Sequence, residues 1–236
     1  MLDSELLRSF ANRFYGYGNP KAANWFISME EAGGSTEDEV AARLSAWRQL
    51  GCQETCDVAE FHRCAKIGTE FFAENPPLQP TWYRMIRILL ASEGQVPDVE
   101  SARIYQRDQL GRANKTTLLA PLLPLPAPSI GAWPYGAWSD IVEFRDRATY
   151  SEYIIQQRID YLSTWLTACR PRIVVFLGAA YRPHAERIIG TSLTEQEEGF
   201  WAATRGSTRI ALCKHPNTRG LTNDYFDSVG RWLSRH

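Results

Sequence analysis

The five residues Ile173-Val174-Val175-Phe176-Leu177 constrain this chain more than any others. A run without one polar position has no solvent face, so a strand made from it is buried on both sides. Such strands belong to parallel sheets covered by helices. Gly178 closes the run, and a helical pattern follows to about Ile189. Strand-like and helical patterns alternate elsewhere too. Ala22 to Met29 reads as the first core strand and Thr116 to Leu123 as the second. Arg209 to Cys213 reads as the last, paired with a weaker Phe200 to Thr204 around Arg205-Gly206-Ser207. Helices are expected from about Asp3 to Phe14, Glu37 to Leu50, Thr81 to Leu90, Tyr150 to Cys169 and Asn223 to Leu233. Tyr15 to Pro20 reads as a turn. The expected architecture is α/β: a three-layer α/β/α arrangement around a central, mostly parallel four-stranded sheet.

A length of 236 residues fits one domain, 1–236, with the cysteine-bearing stretch of about 41–68 as a helical insertion. The formal charge of −1 gives no global signature of nucleic-acid binding. No segment approaches the roughly 18 apolar residues of a membrane span. Met1 to Phe14 has no apolar signal core, so a cytoplasmic protein without membrane contact is expected. A monomer is expected because no heptad or large apolar edge stands out. The five cysteines are an odd count. Cys52, Cys56 and Cys64 lack the usual Cys-x2-Cys pair, so buried thiols are expected rather than a metal site, and no cofactor is implied.

Two strand ends carry chemistry. The last strand delivers Lys214-His215-Pro216-Asn217-Thr218-Arg219-Gly220, and the first delivers Glu30-Glu31-Ala32-Gly33-Gly34. Open α/β sheets bind ligands at the carboxyl edge of the strands. An acidic loop and a histidine loop there can face each other across a cleft. The plainer alternatives are that the two glutamates cap the following helix and that His215 is an inert loop residue. No phosphate fingerprint of the GxxxxGK[ST] or GxGxxG kind is present to support a nucleotide-processing enzyme.

The order of motifs resembles the uracil-DNA glycosylase superfamily. Ser28-Met29-Glu30-Glu31-Ala32-Gly33-Gly34 stands where the superfamily has its first catalytic loop. His215-Pro216-Asn217-Thr218-Arg219-Gly220 stands where it has its last. Between them, Phe71-Phe72-Ala73-Glu74-Asn75-Pro76-Pro77 followed by Pro80-Thr81-Trp82 is similar to the base-stacking segment. Pro171-Arg172 and the Ile173 strand are similar to the common "PKVIVxLG" strand. The chain departs from the pattern in its paired glutamates and in the long insertion. Leu118-Leu119-Ala120-Pro121-Leu122-Leu123 also lacks the asparagine that reads uracil in many relatives. A divergent class with an atypical first motif is implied.

That resemblance implies a monofunctional DNA glycosylase of base-excision repair. It would hydrolyse the N-glycosidic bond of uracil, or of another deaminated or oxidised base, in single- or double-stranded DNA. His215 is then the donor to the departing base, while Glu30, with Glu31 second, orients water and offsets charge on the sugar. Phe72, or else Phe71, provides the stacking platform, with Ser28 and Met29 beside the base. Asn217, Thr218, Arg219, Lys214 and Ser129 are implied in DNA contact, Arg219 or Leu221 as the intercalating wedge. A catalytically altered nucleic-acid-binding protein on the same fold is the alternative.

Overall fold

A computed structural model describes residues 1–129 and 131–234. The chain begins with α1 (Ser4–Arg13), β1 (Gly16–Gly18), β2 (Asn24–Ser28), α2 (Glu37–Gln49), β3 (Thr55–Cys56) and α3 (Val58–Ala65). A 3-10 turn at Thr69–Phe72 leads to α4 (Pro80–Ser92), α5 (Val99–Asp108) and β4 (Thr117–Pro121). The second half holds α6 (Tyr135–Trp138), α7 (Arg147–Cys169), β5 (Ile173–Leu177) and α8 (Arg182–Ile189). It ends with β6 (Thr194–Glu195), β7 (Trp201–Arg205), β8 (Thr208–Cys213) and α9 (Asn223–Ser234).

The fold is α/β. Its sheet is mixed and has eight strands, in the order β3-β1-β4-β2-β5-β8-β7-β6, so the expectation of a four-stranded sheet was too narrow. At its centre β4, β2, β5 and β8 run parallel and in register, Ser28 pairing with both Pro121 and Leu177. The extra width comes from segments with weak strand patterns. Gly16-Tyr17-Gly18, expected as part of a turn, is a strand antiparallel to β4. Glycine is required there: a Cβ at Gly16 would stand 2.0 Å from the Leu119 carbonyl oxygen, and one at Gly18 2.1 Å from that of Thr117. Helix α5 had no place in the sequence reading, because it buries only Ala102 and Gln106 and so lacks an apolar stripe.

The core residues alternate along β2. Trp25 meets Trp165 of α7 with ring centroids 6.4 Å apart, whereas Phe26 faces Met85 of α4. Helix α9 lies close on α4, since a Cβ at Gly230 would come within 2.4 Å of the Ile88 carbonyl oxygen. That contact holds a buried ion pair, Arg87 Nε to Asp227 Oδ1 at 2.9 Å.

One buried arginine fixes the edge where the parallel strands end. Arg158 of α7 is fully buried and donates to the carbonyls of Pro121 at 2.7 Å, Leu122 at 3.1 Å and Phe14 at 2.8 Å. Its guanidinium lies 3.8 Å from the centroid of the Tyr15 ring. Burial without a carboxylate partner pulls its pKa down to about 10. Three carbonyls that the sheet leaves unpaired are thereby satisfied, and the mouth of β4 is locked to the end of α1.

Candidate functional site

The four parallel strands open onto one edge, and a cavity of 390 Å³ lies over it. The β2–β4 pairing continues past the strands, with Leu122 N–H donating to Ser28 O at 2.8 Å and Ala127 N–H to Glu31 O at 3.0 Å. This holds the acidic loop against the proline-rich loop and leaves the glutamate side chains turned into the cavity.

His215 and Glu30 form one end. The backbone N–H of Asn217 donates to His215 Nδ1 at 3.2 Å, and Thr218 N–H closes the turn on His215 O at 2.9 Å. An Nδ1 that accepts leaves the proton of a neutral imidazole on Nε2. Burial lowers the His215 pKa, and the charge of Glu30 only partly opposes this, so the neutral donor is favoured near pH 7. Glu30 is held by Arg147 Nη2, at 2.8 Å to Oε1 and 2.6 Å to Oε2. Arg147 opens α7, and its Nε is buried without a partner among the described residues.

Glu31 points the other way. Its Oε2 accepts from Tyr17 OH at 3.1 Å and from Arg43 Nη1 at 3.0 Å. Arg43 Nε reaches Glu39 Oε1 at 3.3 Å, and Glu39 Oε2 accepts from Ser35 N–H at 3.1 Å. Burial raises the Glu31 pKa, against which the Arg43 charge works. Gly33 lies under this group: its φ is +123°, and a Cβ would meet Arg43 Nη2 at 2.8 Å. Helix α2 is capped by Thr36, which accepts from Glu39 N–H, so neither Glu30 nor Glu31 caps it.

Aromatic walls join the two ends. Phe71 lines the cavity with Trp82, their centroids 5.6 Å apart. Phe72 does not. It borders the outer surface beside Arg63 and Arg112 and packs behind the wall, its ring centroid 5.3 Å from that of His62 and 5.7 Å from that of Trp82, because a 3-10 turn sends consecutive side chains in different directions. Of the two phenylalanines that the resemblance offered, the second choice, Phe71, is the one that lines the cavity. His62 adds an edge to the wall, 5.7 Å from the Trp82 ring, with its Nδ1 buried and without a partner. Burial, and then the Arg43 charge, push its pKa down to about 4. Ser28 lines the cavity, but Met29 is buried on the α8 side of the sheet with Ile27 and Phe176.

The histidine loop divides in the same manner. Asn217 lines the cavity, its Oδ1 3.4 Å from Thr81 Oγ1. Lys214 is directed away, with its ammonium 5.8 Å from the centroid of the Tyr225 ring. Thr218 and Arg219 are exposed beyond the rim, Leu221 is half-buried against the core, and Ser129 is exposed outside the cavity. The 41–68 stretch is not an appendage. It contains the end of α2, the sheet strand β3 and α3, and it lends Arg43, His62, Ile67 and Gly68 to the cavity wall. Tyr17, Arg43, His62, Trp82 and Arg147 are thus site residues that the sequence reading did not assign. Only Trp82 had a local signal, in the Pro80-Thr81-Trp82 helix start.

Among the described residues, no group of three His, Cys, Asp or Glu side chains is placed to hold a metal ion, and no helix is long and apolar enough to cross a membrane. The five cysteines are free thiols, and burial pushes those of Cys56 and Cys213 up to about 12. No protein-family model and no curated protein sequence matches this chain.

Proposed function

We propose that this protein is a DNA glycosylase that removes uracil, or another deaminated base, and leaves an abasic site. The observation that carries the reading is His215: an imidazole held as an Nε2–H donor, at a strand end, beside the carboxylate of Glu30. The parallel centre of the sheet, β4-β2-β5-β8, supports a uracil-DNA glycosylase-like arrangement of those loops.

In the reaction the C1′–N1 bond breaks and its electron pair leaves with the base. The anion develops on the carbonyl oxygen next to N1, where Nε2–H of His215 donates to it. Such a donor contributes about 2.7–4 kcal/mol in the transition state. Glu30 offsets the positive charge on the sugar and orients a water whose oxygen bonds to C1′. The water proton passes to Glu30 and then to solvent, and the base anion takes a proton from solvent. Arg147 fixes the carboxylate in place. Phe71 and Trp82 offer the extruded base an aromatic slot.

The alternative, a binder without catalysis, draws on the same ion pair, because Arg147 takes up both oxygens of Glu30. Oligonucleotides carrying one uracil, hypoxanthine, xanthine or 5-hydroxymethyluracil separate the two readings. Incubation with the protein and then alkali should cut at least one of them at the modified site. Four intact strands that are nonetheless bound would establish the binder.

A further inference from the structure

We propose that Glu31 and Arg43 together read the lactam edge, –NH–C(=O)–, of the base held in the cavity. The proposal rests on the glycosylase reading for its ligand, but its geometry is separate from the catalytic end. Glu31 Oε2 already accepts from Tyr17 and from Arg43 Nη1, which leaves Oε1 as its open acceptor. Arg43 spends Nε on Glu39 and Nη1 on Glu31, so Nη2 has no hydrogen-bond partner among the described residues. Nη2 lies over Gly33, where the absence of a side chain keeps it clear. Both residues line the cavity.

An acceptor and a donor held by one salt bridge match a ring N–H followed by a carbonyl. Uracil presents this at N3–H and O4, and hypoxanthine at N1–H and O6. Cytosine and adenine present a bare ring nitrogen and an amino group, which reverses both signs. A carboxylate facing a ring nitrogen lone pair is repelled, so the pair rejects cytosine and adenine while accepting their deaminated products; guanine and thymine share the lactam edge and are not told apart by this pair. The strand β4 offers only Leu119, Ala120 and Pro121 to the cavity and leaves this task undone. The site also has a direction. His215 and Asn217 stand at the end of β8, whereas Glu31 turns toward Tyr17 on β1, four strands further along the sheet edge. A base with its sugar-bearing nitrogen and adjacent carbonyl toward His215 presents its lactam edge to Glu31 and Arg43.

Titration calorimetry of the full chain with methylated bases tests this without altering the fold. 1-Methyluracil keeps the lactam edge and carries its methyl where the sugar attaches, while 1,3-dimethyluracil has no ring N–H left. We expect 1-methyluracil to bind at least about 10-fold more tightly than 1,3-dimethyluracil or 1-methylcytosine. The preference should shrink to within about twofold in Arg43→Gln, whereas Arg63→Gln, on the outer surface away from the cavity, should keep it. Equal binding of 1-methyluracil and 1,3-dimethyluracil, or no binding of either, overturns the inference even if uracil-containing DNA is cut. Preferential binding of 1-methyluracil by a protein that cuts no DNA leaves the lactam site standing and removes the glycosylase reading.

Discussion

Glu30 and Glu31 are neighbours in sequence and occupy opposite ends of one cavity. Glu30 is drawn by Arg147 of α7 toward the His215 loop. Glu31 is drawn by Tyr17 of β1 and Arg43 of α2 toward the far wall. An extended loop sends successive side chains to opposite sides, so one dipeptide serves two sites. In the proposed function, the difference in partners separates their work. The Glu30 end pairs one carboxylate with a neutral imidazole, which suits bond breaking. The Glu31 end is a buried network of donors and acceptors, which suits recognition.

The largest effect should come from the bond-breaking end. His215→Ala is expected to lower single-turnover excision of uracil by about 10²–10³-fold, with oligonucleotide affinity retained. Glu30→Gln should cost less, roughly tenfold, since an amide still orients water but cannot take its proton. If both substitutions changed affinity and left the rate alone, the division of labour would be reversed.

The aromatic wall sharpens the comparison at the level of a single position. Phe71→Ala should weaken binding of a uracil-containing oligonucleotide by about 1–3 kcal/mol, while Phe72→Ala should leave it near the wild-type value. A loss confined to Phe72→Ala would contradict the observed orientation of the 3-10 turn.

The last effect concerns stability rather than activity and belongs to the recognition end. The His62 pKa is about 4 in the folded protein, against an ordinary value of 6.5. Between these values the unfolded chain binds more protons, so stability should fall as pH drops from 6.5 toward 4, by at most about 3 kcal/mol. Urea denaturation at pH 7 and at pH 4.5 measures it, and His62→Gln should flatten the dependence. An unchanged dependence in that variant would place the acid-sensitive group elsewhere.

The strand Ile173–Leu177 was legible to the residue, because an unbroken apolar run admits no other register. Arg209–Cys213 missed only Thr208, and Ala22–Met29 overran β2 at both ends. The strand β1 was hidden, since two glycines leave one side chain to carry an alternating pattern. At the site, His215 and Glu30 could be seen as strand-end residues. Arg43 and His62 could not. A buried arginine on an amphipathic helix reads as surface until its partner twelve residues upstream is known to face it. The choice between Phe71 and Phe72 turned on the rotation of one 3-10 turn, which composition does not encode.

The most direct test of the account is single-turnover excision from one uracil-containing oligonucleotide at saturating protein, for wild type and His215→Ala side by side. The account predicts release by the wild type and a rate reduced about 10²–10³-fold in the variant, at unchanged affinity. No release by the wild type, or equal rates in both, would contradict it.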